Sequence, residues 1–224
     1  MGDSDSSGHR ARLRARLLAD PDGLQDYELV EYLLMLAIPR IDTKPIAKAL
    51  LREFGGLAPL LTATPEALQR VDRVGDSAAA ALKVVQTAAR RMLREQVAEQ
   101  PMLASWQALL DYLRIDMAHQ PIERVRVLHL NSKNILIRDE LMWEGTIDQA
   151  SVHVREVIRR AMDLGSTALI LVHNHPSGDP QPSRADIQLT RDLIDAGRRL
   201  GIAVHDHVIV ASSGHSSMRS LGLI

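Results

Sequence analysis

Residues 168–176 constrain the fold more than any other stretch: Ala-Leu-Ile-Leu-Val runs straight into His173, Asn174, His175 and Pro176. Five apolar residues in a row suit a central strand buried on both faces, and Pro176 ends it because proline has no N–H to give to a ladder. An extended backbone sends residues i and i+2 to the same side, so His173 and His175 present two imidazoles to a common point from a rigid element. Eleven residues after His175, Asp186 lies in the first turn of a helical pattern that runs from Ser183 to Leu200. Two His and one Asp supply three ligands and leave a fourth tetrahedral position for water, the layout of a catalytic zinc. Such a zinc lowers the pKa of its water toward neutrality and polarises a carbonyl. The same ligand types also make a two-His, one-carboxylate iron site, but no cosubstrate-binding signature accompanies them here. Ser183 and Asp186 fit a capping box as well, in which Asp186 returns to the backbone of Ser183.

A hydrolase of this kind needs a general base, and two glutamates stand close to the predicted sheet: Glu123 at the mouth of the first strand and Glu144 before Gly145. Spacing alone does not choose between them. A second His-x-His pair, His205 and His207, reads as core or as support behind the ligands. The chain has no cysteine, which excludes disulfides, a thiolate nucleophile, iron-sulfur clusters and Cys-type zinc ribbons. Any zinc is therefore held by His, Asp and Glu.

Charge is balanced in both halves, with 14 Lys+Arg against 14 Asp+Glu in residues 1–100 and 13 against 14 in residues 101–224. Neither half is a basic module of the kind that phosphate neutralisation demands. The local exception is His9-Arg10-Ala-Arg12-Leu-Arg14-Ala-Arg16, which reads as a solvated helix face. With aromatic residues at 3%, little material is left for base-stacking platforms. No apolar run approaches the roughly 20 residues that span a bilayer, and the N-terminus lacks a signal-peptide core, so the expected location is the cytoplasm, without a membrane partner.

The pattern predicts three regions. Residues 1–23 are polar and expected to be disordered or frayed. Residues 24–99 read as a helical domain: a stripe at Tyr27, Leu29, Val30, Leu33 and Leu34, a second helix from Thr43 and Pro45 to Gly55, a cap at Thr64-Pro65, and a last helix from Ser77 to about Arg94. The turn Leu68-Gln-Arg-Val71-Asp-Arg-Val74-Gly75 resembles a helix-hairpin-helix, whose backbone N–H groups can meet a phosphate. Arg73 replaces its first glycine, and Asp72 and Asp76 flank the place where phosphate would sit. A packing or protein-docking bundle and a weak DNA contact both remain open for this region. After a linker at Gln100-Pro101, residues 102–224 read as a mixed α/β (α+β) domain with helices packed on a sheet. A helix capped by Ser105 is expected there, then strands at Arg124–Leu130 and Ile135–Met142 joined by a turn at Asn131–Asn134. A turn at Gly145-Thr146, a helix from Val152 to Met162, a strand at Ala168–His175, the helix from Ser183 and a last strand at Ile202–Ala211 complete it.

The run HNHPSGDPQPSRADIQLT closely resembles the signature of the RadC family, bacterial members of the JAMM (MPN-type) metalloprotease superfamily: His-x-His-Pro, a spacer, then Ser-x-x-Asp. The likeness extends through VRVLHLNSKNILI, VHVREVIRRAM, HDHVIVA and the final GLI, and more loosely into the helical half. It implies an MPN/JAMM metallohydrolase domain with His173, His175 and Asp186 as ligands of one zinc ion. It also implies Glu123 as the catalytic glutamate and Ser183 as the serine that stabilises the tetrahedral intermediate. The activity implied is a zinc-dependent metalloprotease or isopeptidase acting on a peptide or protein substrate. The contrasting expectation is a DNA-repair or recombination accessory factor, in which the helical half binds DNA or a repair protein and the metal site is structural or vestigial.

Overall fold

The computed structural model describes residues 3–39, 41–98, 106–145 and 153–224. The expected linker at Gln100-Pro101, the Ser105 cap, Val152 and the second residue of the Gly145-Thr146 turn lie outside them. The chain forms two compact units, Met1–Ala88 and Ala89–Ile224. No helix among the described residues is long and apolar enough to cross a membrane.

The first unit is helical. Helix α1 (Asp3–Ala19) is followed by a 3-10 turn at Pro21–Gly23, then α2 (Asp26–Ala37), α3 (Lys44–Phe54), α4 (Leu57–Thr62), α5 (Pro65–Leu68) and the start of α6 (Asp76–Ala98). The segment 1–23, expected to lack regular structure, is thus helical over most of its length. Leu13, 1% exposed, explains this by packing with Leu24 and Met35, while Arg16 donates two hydrogen bonds to Glu28 at 2.6 and 3.0 Å. Arg12 and Arg14 stay exposed, so the basic run is a solvated face with one apolar anchor. The core of the unit gathers Val30, Leu34, Leu50, Leu60, Leu68 and Leu82 from five helices, α2, α3, α4, α5 and α6. Thr64 caps α5 by accepting from the Ala67 N–H, with Pro65 at the first helical position.

Arg73 has φ of 63°, the left-handed conformation for which glycine is the default residue. The hairpin turn therefore keeps a glycine-type backbone while carrying a long side chain, which makes an exposed pair with Asp72 at 3.7 Å. Arg73→Gly is expected to stabilise the protein by about 1 kcal/mol, since the relief of left-handed strain exceeds what a surface ion pair supplies. Thermal unfolding of the two proteins checks this, and an unchanged or lower midpoint would contradict it.

In the second unit, α7 (Trp106–Met117) precedes β1 (Glu123–Leu130) and β2 (Leu136–Gly145). Then come α8 (Val154–Asp163), β3 (Ala168–Asn174), α9 (Arg184–Arg198), β4 (Ala203–Ala211) and β5 (Gly214–Ser217). The strands form one mixed sheet in the order β2-β1-β3-β4-β5, in which only β3 and β4 run parallel. The turn joining β1 to β2 is built as the sequence predicts: Asn131 Oδ1 accepts from the Lys133 and Ile135 N–H groups, and Asn134 takes a left-handed φ of 59°. The strand β5 was not expected, because Gly-His-Ser-Ser carries no apolar alternation.

Two apolar layers sandwich the sheet. On one face, Leu128, Leu130, Ala168, Ile170, Val172, Val208 and Val210 pack on Leu109, Leu113 and Met117 of α7. On the other, Val125, Val127, Leu169 and Leu171 meet Val157 and Ala161 of α8 and Leu193 of α9. All seven residues of β3 are buried, as a central strand requires. Alternation along β3 then assigns His173 to the α8/α9 face and Asn174 to the α7 face.

Candidate metal centre

His173 stands near the end of β3 and His175 one residue past it, its own N–H still donating to the Val210 carbonyl at 2.9 Å. Asp186 comes from the first turn of α9. The three side chains converge, with Nε2 of His173 2.9 Å from Nε2 of His175. Asp186 Oδ1 is 3.5 Å from the first of these nitrogens, and Oδ2 is 3.7 Å from the second. Ligands about 2.0–2.2 Å from a tetrahedral ion stand about 3.3–3.6 Å apart, so side-chain shifts of a few tenths of an ångström would fit the three around one metal ion. His173, His175 and Asp186 can therefore hold a metal.

Asp186 serves two purposes at once. Its carboxylate accepts from the Ser183 N–H at 2.8 Å, and the Ser183 hydroxyl accepts from the Asp186 N–H at 3.1 Å, which completes the capping box. The box uses Oδ2 and fixes the carboxylate's rotation, leaving Oδ1 toward His173. The Ser183 oxygen takes the Asp186 amide proton and stays at an exposed position.

The loop after the strand prepares His175. Gly178, at φ of 86°, turns the chain so that the Asp179 carbonyl accepts from His175 Nδ1 at 2.8 Å. A carbonyl can only accept, so Nδ1 carries a proton and Nε2 is the nitrogen turned toward the cluster. A Cβ at Gly178 would come 2.8 Å from Ser212 Oγ, besides straining the backbone.

Burial pushes His173 down to about 4, against the opposing pull of Asp186. His175 moves the other way, raised chiefly by the nearby Asp186 carboxylate. Burial would raise Asp186, but His175, His173 and the two Ser183 bonds outweigh it and hold the carboxyl well below the usual range. His173 is therefore a neutral, ligand-ready imidazole, and Asp186 an anion.

The two candidate glutamates part company. β1 and β3 pair antiparallel with Val125 opposite His173, so extending that register sets Glu123 level with His175 on the same face. Burial is the main cause of its raised carboxyl pKa, with His175 and Asp186 as the charges that it feels. Glu144 pairs across β2 with Arg124, on the opposite face, and accepts from that guanidinium at 2.9 and 3.3 Å.

Asn174 is a residue that sequence reasoning passed over. Fully buried on the α7 face, its Oδ1 accepts from the Arg124 N–H at 2.8 Å, and its Nδ2 donates to the carbonyls of Gln120 at 3.3 Å and Ile122 at 3.1 Å. It ties the segment bearing Glu123 to the strand bearing the histidines. A polar residue inside a strand buried on both faces demands partners, which was the available signal. Asn174→Ala is expected to cost about 1–3 kcal/mol by removing three part-buried hydrogen bonds together, with metal content unchanged. Thermal melting and elemental analysis of the same preparation test both halves.

His205 and His207 also separate. His205 has no partner in the β3/β4 register, which passes from Val204 to Asp206, and its Nε2 meets Asn134 Oδ1 at 2.6 Å. That bulge turns His207 to the metal face, where it is fully buried with Nε2 2.8 Å from His173 Nδ1.

A family model described as RadC-like JAB domain matches residues 103–223, which include the whole five-stranded sheet and the residues that converge at the metal centre. Covering more than half of the sequence, the match shows that this chain belongs to the RadC-like JAB domain family.

Proposed function

We propose that the protein is a zinc-dependent amide hydrolase that cleaves a peptide or isopeptide bond in a protein or peptide substrate. The observation that carries this reading is the company the three-ligand cluster keeps. A glutamate stands on the same face with its pKa raised by burial, and a serine hydroxyl lies three residues before Asp186. A purely structural site needs neither a base nor an oxyanion donor.

Zinc, when bound, supplies Lewis acidity that polarises the scissile carbonyl and makes a coordinated water acidic near neutral pH. Glu123 takes the proton of the attacking water, a role suited to a carboxyl that burial brings closer to neutrality. The Ser183 O–H donates to the oxygen of the former carbonyl as negative charge develops there. Glu123 then passes its proton to the leaving amine, so that the base of the first step is the acid of the second. Asp186 and Asn174 hold the two sides of this arrangement in register.

The test combines elemental analysis of the purified full chain with cleavage of a peptide library that includes isopeptide-linked members. The expected result is about one zinc per chain and zinc-dependent cleavage. A protein free of zinc even after reconstitution, or one that holds zinc and cleaves no library member, would favour the accessory role in DNA repair.

A further inference from the structure

Behind His173 lies a line of buried polar atoms that the proposed reaction does not use. His173 Nδ1 is 2.8 Å from His207 Nε2, and His207 Nδ1 is 2.6 Å from Thr190 Oγ1. Thr190 Oγ1 is in turn 2.6 Å from the Asp186 carbonyl oxygen. His207 and Thr190 are fully buried and His173 is 1% exposed, so water does not stand in for any member.

From these contacts we infer that Thr190 and His207 are positioning residues that set the tautomer of His173, and with it the centre's affinity for metal, through a one-way chain of donors ending on the Asp186 carbonyl. The inference rests on the metal centre proposed above.

The direction follows from counting protons. Two oxygens held 2.6 Å apart need a proton between them, and a carbonyl has none, so the Thr190 hydroxyl donates to Asp186. The Met218 sulfur, 3.5 Å from the same hydroxyl, is a much weaker acceptor. With its own proton committed, Thr190 Oγ1 can only accept from His207, which places the His207 proton on Nδ1. His207 Nε2 is then a lone pair, and it accepts from His173 Nδ1–H. His173 is left with its lone pair on Nε2, the nitrogen facing His175 and Asp186. His175 donates its Nδ1 proton to the Asp179 carbonyl, and in the metal-free protein its Nε2 supplies the proton between the two nitrogens that lie 2.9 Å apart. His173 is thus set for ligation before any metal arrives, and the chain returns to Asp186, the third member of the cluster.

Thr190→Val, nearly isosteric, removes the acceptor that keeps the His207 proton on Nδ1. The proton then moves to Nε2 of His207, turns toward His173 Nδ1, and drives the His173 proton onto the nitrogen that should ligate. Loss of such an outer partner typically costs about 10- to 100-fold in metal affinity. Thr190→Ser, which keeps the hydroxyl, should restore the wild-type value.

Two measurements on the full-length protein test this. Nitrogen-resolved NMR of the metal-free protein should find His173 and His207 both protonated on Nδ1 in wild type and Thr190→Ser, and both on Nε2 in Thr190→Val. Competition for Zn2+ against a chromophoric chelator should show the roughly 10- to 100-fold loss in Thr190→Val alone. Should Thr190→Val not fold, His207→Gln and His207→Leu replace it. The Gln oxygen can accept from His173 Nδ1–H and should retain affinity, whereas Leu should lose it. Wild-type His173 protonated on Nε2, or equal zinc affinity in variants with and without the acceptor, would overturn the inference. If wild type takes up no zinc, the hydrolase reading fails while the NMR result still decides the chain.

Discussion

Glu123→Gln is expected to retain its metal and to melt with the wild type, yet to cleave peptide about 10²- to 10⁴-fold more slowly, the usual cost of removing a general base. Glutamine fills the same volume and cannot accept the proton, so fold and chemistry separate cleanly. The expectation rests on register: with Val125 opposite His173, Glu123 shares the histidines' face, and partial burial raises its carboxyl pKa. Glu144→Gln is the matched control. Its carboxylate is committed to Arg124 in an exposed pair on the other face, so its loss should leave turnover near wild type. Metal content, melting temperature and cleavage rate, measured side by side, decide the assignment. Equal turnover in wild type and Glu123→Gln, or a larger loss in Glu144→Gln, would move the base elsewhere.

Metal content should respond most to the ligands themselves. His173→Ala or Asp186→Ala leaves two protein donors, which hold zinc poorly, so affinity should fall by more than the roughly 10- to 100-fold that loss of a supporting partner costs. Asp186 has a second task in the capping box, and Ala removes both functions together. Asp186→Asn separates them. An Asn oxygen still accepts from the Ser183 N–H and preserves the cap, while the neutral amide is a far poorer zinc ligand. Elemental analysis after dialysis, with melting curves for each variant, reads the outcome. Stoichiometric zinc in Asp186→Ala would return that residue to capping alone.

Much of this arrangement could be read from the amino-acid pattern. The apolar run ending in His173 and His175 located the central strand, and the Ser183-to-Asp186 spacing located both the helix cap and the third member of the cluster. What could not be read depended on partners remote in sequence. Glu123 and Glu144 are equivalent until the pairing of β1 with both neighbours is known. His205 and His207 would share a face in any regular strand, and only the bulge in β4 sends one to Asn134 and the other to His173. Helix α1 was hidden because its polar composition masks a single buried leucine, and α4 because it follows directly on Gly55-Gly56.

The alternation of His173, Asn174 and His175 makes the site portable. One strand end turns its outer two residues to the candidate metal site and grips the segment bearing Glu123 with the middle one. The gap between the two imidazoles and Glu123 is therefore gauged by a few consecutive peptide units, and not by how the covering helices happen to pack. Helices on either face can drift, lengthen or be exchanged without changing that gap. A single-residue insertion between 173 and 175, or between 123 and 125, would break it, however well the rest of the domain folded.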